Sequence, residues 1–343
     1  MTVRVVATFP IGPELAERIR AVDPSLEVTV LGQDQLAELR GTTRYPSQRQ
    51  AAVASEELLA AIADAEVLFS FWGGRLPELV DRGRGAPKLR WVQLSSAGAD
   101  RVDAELIRKG VTFTTVSGLH AVPIGEFCIT YMLMLSKGWP ALWRAQLEHR
   151  YERQIMPREL AEQTVGIVGM GAIGSEVAQL AKGLGCRVIG MRRSFTKRGP
   201  DPVADEGVPS SDLAYLLGES DFVVIAAPLT AETRHLIGAE QLRVMRPSAY
   251  LINIARGGLV DEAALTAALR EHVIAGAALD VFEQEPLLAD SELWGLDNVI
   301  LTPHITGGVP DYDARAASIF CENLRRYLDG KPLRNVVDPD RGY

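Results

Sequence analysis

Cysteine is scarce in this chain of 343 residues, which contains three. Cys128, Cys186 and Cys321 lie far apart and show neither a CxxC pair nor the mixed Cys/His spacing of a zinc site. An odd number of scattered cysteines also argues against a disulfide framework. We therefore expect three buried thiols in a reducing compartment and no metal site.

Long apolar runs and an excess of positive charge are also missing. The longest apolar stretch, near 127–135, is too short to span a bilayer, and the N-terminus lacks an apolar segment followed by a small-residue cleavage site. The formal net charge of −8 disfavours nucleic acids and anionic membranes as partners. These absences predict a cytoplasmic protein that binds no nucleic acid and no membrane.

Short β-branched runs alternate with helical patterns in both halves of the chain, which predicts parallel α/β layers. The length favours two domains. Expected strands lie at 4–9, 27–31, 66–71, 89–95, 111–116, 187–191, 222–226, 249–254, 276–280 and 299–301, and a further strand begins at Thr164. Expected helices lie at 13–22, 55–63, 100–109 and 310–328, with a long helical segment at 123–153 that Pro140 interrupts.

A glycine turn follows the expected strand that begins at Thr164, where residues 165–174 read VGIVGMGAIG. In a GxGxxG turn, Gly169 makes the tight bend, Gly171 lets the backbone approach a pyrophosphate, and Gly174 allows close helix–strand packing. The following helix offers free N–H groups to the phosphates. The alternative is a merely glycine-rich turn, but the strand–turn–helix context favours a dinucleotide site.

Arg192, Arg193 and Ser194 follow the next strand, where a carboxylate would bind the ribose 2′-hydroxyl of NAD. An arginine at this place suits a 2′-phosphate, so NADP(H) is the favoured cofactor and NAD(H) a possible one. The alternative is a solvated basic loop, because Lys197 and Arg198 are near.

Four further motifs follow in series: AAPLTAETRHLI at 226–237, NIARGGLVD at 253–261, ALDVFEQEP at 278–286 and LTPHITGG at 301–308. With the glycine turn, they closely resemble the D-isomer-specific 2-hydroxyacid dehydrogenases, a family that includes glyoxylate/hydroxypyruvate reductases and phosphoglycerate dehydrogenases. The resemblance implies hydride transfer between NAD(P)H and a small 2-keto or D-2-hydroxy acid. It also implies cofactor contacts at Ala172, Ile173, Pro228, Thr233, Ile254, Ala255, Asp280 and Gly307.

The same chemistry can be argued from the residues. Reduction of a 2-keto acid needs a cation for the carboxylate and the ketone, and Arg256 follows an expected strand with a planar fork that suits both. It also needs an acid, and His304 is suited to that role near neutral pH. Glu285 would fix the imidazole and favour its protonated form. Singly, each residue could be structural; together, and at the family's spacing, they indicate a catalytic set.

The substrate side is expected in the first domain. Ser95-Ser96-Ala97-Gly98 ends a strand and opens a helix, so the backbone at Ala97 and Gly98 could bind the substrate carboxylate, as the resemblance also implies. Trp72 and Gly73 end the preceding strand and could line the pocket, although core packing is an equal alternative for Trp72. Thr306 and Val309 depart from the commonest form of the family's histidine loop.

We therefore expect an α/β protein in which a Rossmann domain, 119–307, is inserted in a flavodoxin-like substrate domain, 1–118 plus 308–343. The expected function is a glyoxylate/hydroxypyruvate-type reductase; the alternatives are a phosphoglycerate dehydrogenase-like enzyme and a non-catalytic NAD(P)-sensing protein. A formate dehydrogenase is disfavoured because the family places glutamine, not glutamate, beside the histidine in that enzyme. The resemblance also suggests a homodimer through 123–153; the alternative is an intramolecular core face.

Overall fold

A computed structural model describes residues 2–8, 11–32, 56–70, 86–98, 102 and 104–338. The chain divides into two compact units, 1–119 with 310–343 and 120–309. The sequence placed these boundaries at 118/119 and 307/308. Within the described part of the chain, no helix has both the length and the apolar character needed to cross a membrane.

The first unit contains a parallel sheet of five strands in the order β2-β1-β3-β4-β5, which is the flavodoxin-like order. The strands are β1 (Val3–Thr8), β2 (Leu26–Val30), β3 (Val67–Ser70), β4 (Trp91–Leu94) and β5 (Thr112–Thr114). Among the residues of this unit that the structure describes, the helices are α1 (Pro13–Arg20), α2 (Glu56–Ala63), α3 (Ala104–Arg108) and the C-terminal helix Tyr312–Leu328. Phe320 of this last helix stacks on Phe69 of β3 with ring centroids 4.4 Å apart.

The second unit contains a parallel sheet of seven strands in the order β12-β11-β10-β9-β6-β7-β8. The chain adds strands on both sides of β6, first β7 and β8 on one side and then β9 to β12 on the other, as in the Rossmann fold. The strands are β6 (Thr164–Val168), β7 (Arg187–Met191), β8 (Glu206–Val208), β9 (Phe222–Ile225), β10 (Tyr250–Asn253), β11 (Gly276–Leu279) and β12 (Val299–Leu301). The helices are α4 (Ala121–Ser136), α5 (Trp139–Leu147), α6 (Ala172–Gly183), α7 (Leu213–Glu219), α8 (Ala239–Val244) and α9 (Glu262–Arg270); the C-terminal helix of the first unit is α10.

Burial on both faces explains the composition of the central strands. Every residue of β6, β9 and β11 is buried, which fits the continuous apolar runs typical of a sheet covered by helices on both sides. Two hydrophobic clusters fill the second unit, one containing Leu251 and Leu279 and the other containing Ile167 and Val224. The sheet is therefore a rigid base whose strand ends can carry a site.

The structure corrects two expectations about the helices and strands. The long helical segment ends at Leu147 and not at 153, because His149 takes a left-handed φ of 55° and the Arg150 amide bonds back to the Ala145 carbonyl. The sequence also gave no indication of β8, a strand of three residues at the sheet edge.

Candidate active site

Arg256, Asp280, Glu285 and His304 all follow neighbouring strands of the second unit's sheet. Arg256 follows β10, Asp280 and Glu285 follow β11, and His304 follows β12. These three strands pair side by side in parallel, so their carboxyl ends lie at one edge of the sheet. Ligands of open α/β sheets bind at this edge.

His304 and Glu285 form the pair that the sequence predicts. The Glu285 Oε2 atom lies 2.8 Å from the His304 Nδ1 atom, so Nδ1 carries a proton and donates it, and Nε2 is the other proton-exchanging position. The hydrogen bond that His304 donates to Glu285 raises the pKa of His304; burial and the charge of Arg256 act against this, and the charges of Glu285 and Asp280 support it. The imidazolium form is therefore favoured, as a proton donor requires.

The pKa of Glu285 moves the other way. Burial alone would raise it, but the hydrogen bond and charge of His304, the Phe282 amide and the charge of Arg256 together lower it. Glu285 is therefore a carboxylate. Its Oε1 atom accepts a hydrogen bond of 3.2 Å from the Phe282 amide, which fixes the side chain within its own turn.

The turn that carries Arg256 packs tightly against the turn that carries Glu285. A Cβ atom added at Gly257 would lie 1.9 Å from the Phe282 carbonyl carbon, so glycine is required there. The side-chain Nδ2 atom of Asn253 donates to the Arg256 backbone carbonyl at 3.0 Å, and the Arg256 Nη1 atom donates to the Ala255 backbone carbonyl at 2.8 Å. The loop thus holds a guanidinium whose charge acts on both Glu285 and His304.

Asp280, predicted as a cofactor contact, is buried and bonded to the loop that carries His304. Its carboxylate accepts hydrogen bonds from the Thr302 hydroxyl, the Ile305 amide, and both the amide and hydroxyl of Thr306. A carboxylate has about four acceptor positions. A cofactor amide at Asp280 would therefore share an oxygen with one of these donors. Sequence reasoning missed this role, although the threonines on both sides of His304 were visible.

The three glycines of the glycine turn differ in their surroundings. Gly169 has a φ of +106°, and a Cβ atom at Gly174 would lie 2.1 Å from the Gly169 carbonyl oxygen, so both positions need glycine. A Cβ atom at Gly171 would meet nothing within 4 Å. The space beside Gly171 is thus open, and α6 begins at the next residue, Ala172, followed by Ile173. The turn fits a pyrophosphate on the helix N-terminus.

The other expected cofactor contacts lie at the same sheet edge. Thr233 donates its hydroxyl to the Pro228 carbonyl at 2.7 Å, so these two residues form one turn after β9. Ile254 and Ala255 directly follow β10. The Gly307 carbonyl accepts a hydrogen bond of 2.7 Å from His120 Nδ1.

Arg192 and Arg193 have acidic neighbours that the sequence analysis did not identify. Arg192 Nε lies 3.1 Å from the Oδ2 atom of Asp201, whose side chain is fully buried. The two atoms are not aligned for a hydrogen bond, so the contact is an ion pair. Arg193 pairs with Glu232 at 2.9 Å. Ser194 is exposed. The segment is therefore charge-balanced and not simply a solvated basic loop.

The expected substrate contacts belong to the first unit. Ala97 and Gly98 follow β4, and the Ser96 hydroxyl donates to the Gly98 carbonyl at 2.9 Å. Trp72 and Gly73 lie outside the described residues. The substrate contacts expected at these four residues stay predictions. The described residues contain no group of three or more His, Cys, Asp or Glu side chains that could hold a metal ion.

His235 is exposed but paired. Its Nε2 atom lies 2.7 Å from the Glu283 carboxylate, and its amide donates to the Gly258 carbonyl. The contact joins the turn after β9 to the turns after β10 and β11. No signal in the sequence indicated it, because the two partners lie 48 residues apart.

Comparison with known proteins identifies the family. Residues 129–306 match the model of the D-isomer specific 2-hydroxyacid dehydrogenase, NAD binding domain. Glyoxylate reductase from Aeropyrum pernix is 37% identical over 295 residues, which cover 82% of this chain and 86% of that protein. D-3-phosphoglycerate dehydrogenase from Methanocaldococcus jannaschii is 32% identical over 94% of this chain, which spans 59% of that longer protein.

A solved structure covers the whole chain. The D-isomer specific 2-hydroxyacid dehydrogenase from Xanthobacter autotrophicus Py2, in complex with NADPH and MES, is 30% identical, with a TM-score of 0.78 and full coverage of both chains. The family model, the relatives and this structure agree with one another. The chain therefore belongs to the D-isomer-specific 2-hydroxyacid dehydrogenases, NAD(P)-dependent oxidoreductases of 2-hydroxy acids.

Proposed function

We propose that the protein reduces a small 2-keto acid, of the size of glyoxylate or hydroxypyruvate, to the D-2-hydroxy acid. The observation that carries the proposal is the His304–Glu285 pair at 2.8 Å, with the charge of Arg256 acting on both residues. The relative from A. pernix is named a glyoxylate reductase, which supports a substrate of this size.

Each of the three residues has a separate task in this proposal. Arg256 binds the substrate carboxylate and draws electron density toward the ketone oxygen, which its planar donors suit. His304 gives the proton from Nε2 to the developing alkoxide, and its raised pKa keeps the donor form populated. Glu285 holds the imidazole orientation and stabilises its charge.

The residues that follow β6, β7 and β9 fit a bound dinucleotide. The open space at Gly171 and the start of α6 suit the pyrophosphate, and when bound, the nicotinamide supplies the hydride. Arg192, Arg193 and Ser194 would contact a 2′-phosphate, so we propose NADPH as the preferred donor. The Xanthobacter enzyme was crystallised with NADPH, which supports this preference.

A phosphoglycerate dehydrogenase-like activity is the second candidate, favoured by the M. jannaschii relative. Assays with glyoxylate, hydroxypyruvate and 3-phosphohydroxypyruvate, each with NADPH and NADH, separate the two candidates. A protein that binds NADPH but reduces none of these acids would be a sensor of the nucleotide and would contradict the proposal.

The proposed location of the protein is the cytoplasm, where the three free, buried cysteines stay reduced.

The catalytic assignment predicts the effect of two substitutions. His304→Ala and Arg256→Ala should each lower kcat/KM for keto-acid reduction by about a hundredfold or more, because each removes a proton donor or a transition-state cation. His272→Ala is the matched control, since His272 is exposed and shares the left-handed φ of His304, at 53° and 54°. Activity near that of the wild type after His304→Ala would contradict the mechanism.

A further inference from the structure

Thr306 occupies the position where the histidine loop departs from the commonest family form, and its side chain has a specific partner. The residue is 1% exposed. Its hydroxyl donates to Asp280 Oδ2 at 2.6 Å, and its amide donates to the same oxygen at 3.2 Å. The position two residues after His304 is thus bonded to Asp280 twice.

The other oxygen of Asp280 binds the residues nearer the start of the loop. Oδ1 accepts from the Thr302 hydroxyl at 2.6 Å and from the Ile305 amide at 3.0 Å. A hydroxyl has one proton, and Thr302 gives it to the carboxylate, so the Tyr131 hydroxyl must be the donor in its 2.6 Å contact with Thr302. Hydrogen-bond donation therefore runs from Tyr131 to Thr302 and from Thr302 to Asp280.

His304 lies between these two attachments. Its own amide donates to the backbone carbonyl of Asp280 at 2.8 Å. Its φ of 54° lies in the left-handed region, which is uncommon for a residue with a side chain. Asp280 thus holds residues on both sides of His304 through its carboxylate, and His304 itself through its backbone.

We propose that Thr306 is a positioning residue for His304, acting with Thr302 through the buried carboxylate of Asp280. The inference rests on the proposed function, in which His304 donates the proton. The Thr306 hydroxyl completes the four donors that Asp280 can accept, and so holds the loop in the conformation in which His304 Nδ1 faces Glu285.

Thr306→Val tests the hydroxyl with almost no change of shape. Loss of the donor loosens the loop, and we expect kcat/KM for keto-acid reduction to fall about ten- to a hundredfold, the scale of a small misplacement of a reacting group. Thr306→Ser keeps the hydroxyl and should restore most of the rate. Thr266→Val is the matched control, because the Thr266 hydroxyl bonds to the Glu262 carbonyl within α9.

A second readout needs neither cofactor nor substrate. The chain has five histidines, so the imidazole of His304 can be assigned by NMR and titrated in the free protein. Glu285, Arg256 and Asp280 are the charged groups that act on it, and the hydrogen bond to Glu285 is the largest of these influences. A loosened loop weakens that bond, so the pKa of His304 should fall toward its ordinary value in Thr306→Val and stay high in Thr306→Ser.

Three outcomes would overturn the inference. Wild-type kcat/KM together with an unchanged pKa of His304 in Thr306→Val would do so, as would equal losses in the valine and serine variants. If Thr306→Val does not fold, Thr306→Ala removes the same hydroxyl without placing a second methyl group against Asp280, and an unchanged pKa of His304 there would be equally decisive. A wild type that reduces no 2-keto acid would refute the proposed function, whereas the titration would still test the positioning role.

Discussion

At the scale of single residues, the Glu285 carboxylate sets the pH at which His304 loses its proton. We predict that Glu285→Gln lowers the pKa of His304, because the largest cause of its rise is the bond to this carboxylate. Reduction uses protonated His304, so the alkaline fall of kcat/KM should move to lower pH. Oxidation of the hydroxy acid uses neutral His304, so its rise should also move to lower pH.

Profiles of kcat/KM against pH, measured in both directions, check this prediction. His272→Ala serves again as the control that changes a distant imidazole. If the alkaline limb of reduction stayed in place after Glu285→Gln, the group that titrates would not be His304.

The Arg192–Asp201 pair determines how coenzyme preference should be tested. An aspartate at position 192 would face the buried carboxylate of Asp201, so Arg192→Gln is the cleaner change. We predict that kcat/KM for NADPH falls about tenfold or more while that for NADH changes little, since a charge-assisted hydrogen bond is worth about 1.5–3 kcal/mol. The comparison of both coenzymes at one pH and salt concentration measures this.

Arg198→Gln is the matched control for Arg192→Gln. Arg198 lies in the same segment, but it pairs with Asp212 and stacks over the ring of Tyr215 at 3.6 Å from its centroid. A wild type that prefers NADH, or an equal effect of the two glutamine variants, would show that Arg192 does not read the 2′-phosphate.

At the scale of secondary-structure elements, predictability followed the origin of each signal. The strands at 187–191 and 299–301 were predicted with their observed bounds, because a short run of mostly apolar residues in a parallel sheet is visible in the local sequence. The end of α5 was missed, because a histidine occupies the left-handed position where glycine is usual. The strand β8 was missed because three residues at a sheet edge carry little pattern of their own.

The same distinction applies to the site. Arg256, Glu285 and His304 could be predicted as site residues because they lie in motifs at the ends of strands, and the turns that hold them are local. Asp201, Glu232 and Glu283 were not identified, because their arginine and histidine partners lie 9 to 48 residues away in sequence and meet only after folding. Ion pairs of this kind depend on tertiary structure and leave no local signature.

At the scale of the whole molecule, the continuous second unit explains why the family model matches one uninterrupted segment. The family model matches residues 129–306, which lie inside the unit that runs from 120 to 309. The first unit is formed by two separate segments of the chain, and it contains the expected substrate contacts Ala97 and Gly98. Its α10 packs on the sheet through Phe320, so the C-terminal segment is part of that unit's core.

Large apolar side chains are exposed on α5. Trp139, Trp143 and Leu147 follow one another at intervals of four residues and are 45%, 51% and 67% exposed, whereas Ala145 is the buried residue of α5. The alternative of an intramolecular core face is therefore wrong for these three side chains. Three large apolar groups on one helix face would lose unfavourable contact with water if a second copy covered them.

We predict a two-fold homodimer through this face, in which the same patch of each subunit contacts its counterpart. Light scattering at micromolar concentration should give about twice the chain mass of 37.3 kDa. Trp143→Asp should shift the protein toward the monomer, because it places a charge in the centre of the apolar face. Val244→Glu, at an exposed apolar residue that ends α8, a helix packed on α7 and α9, is the control that should leave the dimer intact. A wild type that scatters as a monomer would refute the prediction.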